Sequence, residues 1–273
     1  MMKSEWKEEL EAAIGAASRA GEQIREWIGR PLTQAAKSSR HDLVTEVDKA
    51  CQDIIATHLV GLFPESTLLG EETVAPGSEA AAEATLAADT RFLWVVDPID
   101  GTQNFIRGVP FCAVSIGLVV AGEPVAGVIY DPLRDEMFYG AKDLAMQVDG
   151  VAAGVSNETS VEDAILASGF PNGTYRKQNV RQVERFAHSA RSVRALGSAA
   201  LHLAYVACGR IDGFFENDLN AWDLCAGVVL VQAGGGRVTG TAGEPYNLAL
   251  RHVVASNGLI HDEILSDLRS LDD

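Results

Sequence analysis

The hexapeptide Asp97-Pro98-Ile99-Asp100-Gly101-Thr102 closes an apolar run, 92–96, of strand character. Two carboxylates at the end of a buried strand are costly unless a partner compensates them. Pro98 lacks an N–H and has a fixed φ, so the turn can present both carboxylates and the Ile99 carbonyl toward one point. Oxygen ligands arranged this way suit a hard divalent cation. Gly101 permits close backbone approach, and a helix starting there would offer the Gly101 and Thr102 N–H groups to a phosphate. Taken alone, the stretch also fits a strand-to-helix turn in which an aspartate merely caps the helix.

Other acids keep it company. Glu71 and Glu72 follow Leu-Leu-Gly, Asp48 ends the stretch Asp-Leu-Val-Thr-Glu-Val-Asp, and Glu216 and Asp223 lie in Phe-Phe-Glu-Asn-Asp-Leu-Asn-Ala-Trp-Asp. Each has an ordinary reading: a solvated Glu pair, a first-turn carboxylate favoured by the helix dipole, a strand-end charge, an N-terminal cap. The combination is far more specific. The segments 37–48, 70–72, 94–105, 196–216 and 222–227 occur in the order found in the inositol monophosphatase family of metal-dependent, lithium-sensitive phosphatases, and the chain resembles that family across most of 37–227. Gln103 stands where many members carry a second Thr, and the linker from Glu72 to Asp97 is long for the family, which reads as a surface-loop insertion. The DxxD spacing, unlike DxDGT, argues against a phosphatase that works through a covalent aspartyl phosphate.

The resemblance implies an α+β fold of layers in the order αβαβα and a Mg²⁺-dependent phosphomonoesterase. By that resemblance Glu71, Asp97 and the Ile99 carbonyl hold one Mg²⁺, Asp97, Asp100 and Asp223 hold a second, and a weaker third binds near Glu71. Thr102, paired with Asp48, orients or deprotonates the attacking water, and Glu72 supports it through water. The substrate, a small phosphorylated polyol, meets Glu71, Asp100, Gly101 and Thr102, with its alcohol against Gly197, Ser198, Ala199, Glu216 and Asp223. Inositol monophosphate is the expected substrate. Histidinol phosphate, fructose 1,6-bisphosphate and 3′-phosphoadenosine 5′-phosphate are alternatives, as is a non-catalytic regulatory role on the same fold. The family implies a homodimer.

These residues need elements to carry them. Apolar spacing predicts an amphipathic helix over 5–29 and a second over 46–62, stopped before Pro64. Residues 75–90 are Ala-rich and acidic, helical in composition but poor in core residues, and read as a surface excursion. Strand-like runs at 92–97, 112–120, 124–130 and 136–139, joined by short turns, predict an antiparallel meander. From about 150 strands and helices alternate: strands at 164–170, 192–196 and 213–216, helices at 176–191, 198–208 and 221–233. The glycines at 234–236 read as a helix stop and lack a P-loop pattern. Two closely packed lobes are therefore expected. Residues 1–148 would carry most metal ligands, and 149–273 the alcohol contacts and Asp223.

The bulk properties agree. At 273 residues with 47% hydrophobic and 22% charged content, the chain has enough material for a large core. A net charge of −16 disfavours broad contact with nucleic acid or anionic membrane. Four scattered cysteines without CxxC spacing read as reduced thiols, six histidines lack ligand spacing, and no apolar leader or membrane-length run is evident. A cytoplasmic protein is expected.

Overall fold

The computed structural model describes residues 3–30, 34–36, 43–75, 77–171 and 173–271. Lys37 and His41 lie outside them. The helices are α1 Lys7–Trp27, α2 Glu46–Leu62, α3 Ser78–Ala87, α4 Thr102–Arg107, α5 Arg176–Ser189, α6 Ala199–Ala207, α7 Ala221–Ala233 and α8 His261–Arg269. The short strands β1 Gln34–Ala36 and β2 Leu43–Thr45 pair antiparallel ahead of α2. One sheet follows the chain from β3 Thr67–Gly70 through β4 Phe92–Asp100, β5 Ala113–Val120, β6 Glu123–Asp131, β7 Glu136–Ala141 and β8 Leu144–Val148 to β9 Val151–Ala152. It is the expected meander, extended by β8 and β9, with β3 added parallel to β4. A second sheet runs β11 Ser192–Arg194, β10 Ile165–Ser168, β12 Gly213–Glu216, β14 Val253–Ser256 and β13 Arg237–Gly240. Strand β14 and helix α8 fall where the sequence pattern predicts no element.

The layers follow from where apolar side chains can hide. Leu10, Ala13, Ala17 and Ile24 of α1 and Val47, Ile55 and Leu59 of α2 bury against Trp94, Val96, Ile116 and Val128 of the first sheet. On its other face Ile129, Phe138 and Met146 meet Leu203 of α6 and Leu224 and Leu230 of α7, which also touch Phe214 and Ala255 of the second sheet. Helix α7 is buried all round because it lies between two sheets. Ile264 and Leu268 of α8 and Phe186 of α5 cover the far side of the second sheet against Phe215 and Val254. The order is αβαβα.

A row of glycines lets α7 approach. Gly117, Gly127 and Gly140 sit side by side on β5, β6 and β7. A Cβ on Gly117 would lie 2.5 Å from Cys225 Sγ, and one on Gly127 2.5 Å from the Ala226 carbonyl oxygen. The helix that carries Asp223 therefore rests on bare backbone.

The 75–90 segment contains a helix, as its composition predicts. It forms α3, whose Ala81 is buried with Leu69, Leu93, Val95 and Trp222. Alanines suffice for core packing where a helix lies close to its neighbours. The cysteines are all free, with Cys51, Cys112 and Cys225 buried. Burial pushes the Cys51 and Cys225 thiols up to about 12, which makes them poor nucleophiles.

Candidate active site

Residues an odd number of steps apart on a regular strand face opposite ways. Asp97 and Asp100 escape this because β4 carries an irregularity between them: Asp97 pairs with Ser115, but Asp100 pairs with Ala113. The extra residue turns both carboxylates to one side. Asp97 Oδ1 accepts the Ile99 N–H at 3.0 Å, which holds the bulge. Asp223, in the first turn of α7, accepts the Asn220 N–H on Oδ2 at 2.7 Å. Oxygens of Asp97, Asp100 and Asp223 come within 4.8 Å of one another, and Asp97 and Asp100 are buried.

Neighbouring elements fix these acids. Ser198 caps α6, and its hydroxyl also donates to Asp100 Oδ2 at 2.5 Å, beside the Ala200 N–H at 2.7 Å. Gly101 adopts a left-handed conformation (φ 94°), and a side chain there would lie 3.0 Å from both the Gly197 and Phe111 carbonyl oxygens. Asn104 ties the same two loops together, donating to the Phe111 carbonyl at 2.8 Å and the Leu196 carbonyl at 2.7 Å. Asn104 was not singled out from the sequence, since its partners lie in distant stretches of chain.

Thr102 opens α4, and its hydroxyl lies 3.2 Å from Asp48 Oδ1 and 3.1 Å from the Ile99 carbonyl. Asp48 is buried and set by a capping box, its Oδ2 accepting from the Thr45 N–H at 2.8 Å and the Thr45 hydroxyl at 2.5 Å. Glu71 and Glu72 form a short 3-10 turn after β3, where the Glu72 N–H donates to Gln52 Oε1 at 2.9 Å. Glu71 stands beside the three-carboxylate cluster, close enough for its charge to act on Asp100 and Asp223. Gln103 is exposed on α4. Glu216 ends β12, buried, with Asp223 and Asp100 as its charged neighbours.

Among the described residues, the site is short of positive charge. Burial, then Asp100 and Glu71, push Asp223 up; burial and Glu71 raise Asp100 against the opposing bonds from Ser198 and Ala200. Glu216 is held well above the usual carboxylate range by burial and by Asp223 and Asp100. Arg251 pulls Asp223 down, but its guanidinium is bonded to Asn220 Oδ1 at 2.7 Å and Asp218 Oδ1 at 2.8 Å. A set of hard oxygens, buried and mutually repelling, is the donor set that a divalent cation fits. Among the described residues no histidine joins this cluster: His202 packs between Phe111 and Phe214, and His261 lies between Thr239 and Ser256 hydroxyls, each 2.9 Å away.

Comparison with known proteins agrees with this geometry. The family model described as "Inositol monophosphatase family" matches residues 5–273. Inositol monophosphatase 3 of Solanum lycopersicum is 38% identical over 95% of this chain and 96% of its own length. The Nus factor SuhB of Escherichia coli K12 is 35% identical over 95% of each chain. The solved structure of an IMPase from Thermotoga maritima superposes with a TM-score of 0.87 at 31% identity, covering 97% of this chain and 98% of that one. The αβαβα reading of the sequence is thus borne out, and the chain belongs to the inositol monophosphatase family of phosphoric monoester hydrolases.

Proposed function

We propose that the protein hydrolyses inositol monophosphate to inositol and phosphate with Mg²⁺. The observation that carries this reading is the convergence of Asp97, Asp100 and Asp223 within 4.8 Å, with the Thr102–Asp48 pair alongside. A phosphate monoester bears about two negative charges near neutral pH, and bare carboxylates would repel it. Glu71, Asp97 and the Ile99 carbonyl would hold one Mg²⁺; Asp97, Asp100 and Asp223 a second; a weaker third belongs near Glu71. Mg²⁺ bound there supplies the Lewis-acid charge that draws phosphate, nucleophilic water and leaving oxygen together.

The chain's own groups do the rest. Ser198 and the Ala200 N–H fix one oxygen of Asp100, and Asn220 fixes one of Asp223. The carboxylates are thereby oriented before anything binds. Thr102, with its proton directed to Asp48 or the Ile99 carbonyl, offers its lone pairs to an attacking water. Asp48 then serves as the base behind Thr102, and Glu72 assists through a water. Gly101 and Thr102 contact the phosphate. Gly197, Ser198, Ala199, Glu216 and Asp223 face the alcohol, and Glu216 accepts hydrogen bonds from ring hydroxyls.

Arg107 is exposed at the end of α4, and the described residues that form the site offer no cluster of cations to cradle a second phosphate. Monophosphates should therefore exceed bisphosphates as substrates. Li⁺ would inhibit by taking the second cation's place, measured as loss of turnover at millimolar Li⁺. We read the protein as a cytoplasmic homodimer whose two lobes, 1–148 and 149–273, divide the ligands from the alcohol contacts; light scattering tests the dimer. None of the helices in the described residues is long and apolar enough to cross a membrane, and the net charge of −16 disfavours nucleic acid.

Side-by-side kcat/KM values for inositol monophosphate, histidinol phosphate, fructose 1,6-bisphosphate and 3′-phosphoadenosine 5′-phosphate test the substrate. Inositol monophosphate should lead, with Glu216→Gln raising its KM modestly. A preference for histidinol phosphate that collapses in Glu216→Gln would overturn this choice, because a charge-assisted bond would then be lost. The relative named as a Nus factor motivates the regulatory alternative, which predicts no turnover of any ester.

A further inference from the structure

Behind Glu216 lies a buried network of amides that the reaction itself does not use. Asn179 and Gln182 of α5, Asn217 after β12 and Ser168 at the end of β10 are all buried. Asn179 Oδ1 accepts both the Asn217 N–H at 3.2 Å and the Asn217 side-chain amide at 2.9 Å. Its Nδ2 donates to Ser168 Oγ at 3.0 Å and to the Gly169 carbonyl. The two lone pairs and two N–H groups of a single side chain are thereby all engaged. Ser168 Oγ in turn donates to the Phe215 carbonyl at 2.7 Å, and Asn217 Nδ2 also donates to Gln182 Oε1 at 2.7 Å.

The bonds converge on the residues that flank Glu216. Phe215 on one side is tied to Asn179 through Ser168, and Asn217 on the other is tied to it directly. The surface on which the Glu216 carboxylate rests is Gly169: a Cβ built there would overlap that carboxylate. Gly169 itself is held by its carbonyl bond to Asn179. Glu216 thus has its strand, its following loop and its resting surface all fixed by one buried amide.

We propose that Asn179, with Gly169 beneath the carboxylate, is a positioning device that sets the selectivity of this phosphatase for esters of hydroxyl-rich alcohols by holding Glu216 toward the alcohol. The proposal rests on the reading of Glu216 as the alcohol contact. Its prediction is a split by substrate. An aryl phosphate without hydroxyls, such as p-nitrophenyl phosphate, needs the acidic cluster and Thr102 but not Glu216, whereas inositol monophosphate needs both. A defect in folding or in the cluster would lower both activities together.

The test measures kcat and KM for these two esters in wild type, Asn179→Leu and Gly169→Ala. Gly169→Ala leaves the amide network in place and displaces only the end of a flexible side chain, so it decides the question if Asn179→Leu fails to fold. In each folded variant kcat/KM for inositol monophosphate should fall about tenfold or more, mainly through KM, with p-nitrophenyl phosphate kept within about twofold. Equal losses for both esters, or no loss for either in Gly169→Ala, would overturn the positioning role while leaving the phosphatase reading intact. A wild type that does not favour the polyol ester over the aryl one would instead defeat the reading of Glu216, and this inference with it.

Discussion

At the scale of the residue, the site is a problem of like charges held together. Asp97 is buried within ligand distance of Asp100 and Asp223, and both of those are raised by burial. Asp97→Asn keeps an Oδ1 to accept the Ile99 N–H but removes one charge. Turnover should fall by orders of magnitude, while the metal-free protein melts at the same temperature or higher; near-normal activity at ordinary Mg²⁺ would reject the proposed assignment of Asp97 to both cations. His202 makes a separate pH prediction. Burial lowers it to about 3, with Nε2 accepting the Leu196 N–H at 3.3 Å. A histidine whose folded value is depressed stabilises the fold fully above its unfolded value of ~6.5, and loses that contribution as pH falls from there toward its folded value. Over that window wild type should lose up to about 1.4 kcal/mol per pH unit more than His202→Phe in urea melts. Parallel pH profiles for the two proteins would show that His202 does not set the acid limit of stability.

Elements place the acids. Helix α7 brings Asp223 to β4 because Gly117, Gly127 and Gly140 clear a lane across three strands. Gly127→Ala must push against the Ala226 backbone, so it should cost about 1–3 kcal/mol and lower turnover with it. Gly61, near the end of α2, has no atom within 4 Å of an added Cβ. Gly61→Ala should therefore raise stability by about 0.5–1 kcal/mol with activity unchanged. Urea melts of the two variants separate these cases, and a neutral Gly127→Ala would mean that α7 can shift without harm. Local pattern made most of these elements readable: α2 and α7 fall where apolar spacing and the stop at 234–236 put them. What escaped reading depends on distant partners. Strands β13 and β14 are short, and α3 packs through alanines. Asn179 and Gln182, three apart on the same face of α5 as Phe186, did leave a signal, polar amides where an apolar stripe should run. Their bonds to 168, 169 and 217 could not be read from spacing.

Across the whole molecule, carboxylates from distant parts of the chain, Asp97 and Asp100 on β4 and Asp223 on α7, meet where β4, α6 and α7 come together, between packed layers. The order of the motifs, which resembles that of the family, made Glu71, Asp97, Asp100 and Asp223 legible as a set. It did not reveal how Asp97 and Asp100 come to face one way, which depends on the register slip against β5. We infer that these acids gather to hold Mg²⁺ for phosphate ester hydrolysis. Phosphate release from inositol monophosphate, followed as Mg²⁺ is removed with excess chelator and then restored, tests it most directly. Turnover should fall to background without the cation and return in full with it, whereas turnover indifferent to the chelator, or absent at every Mg²⁺ concentration, would exclude a Mg²⁺-dependent phosphatase.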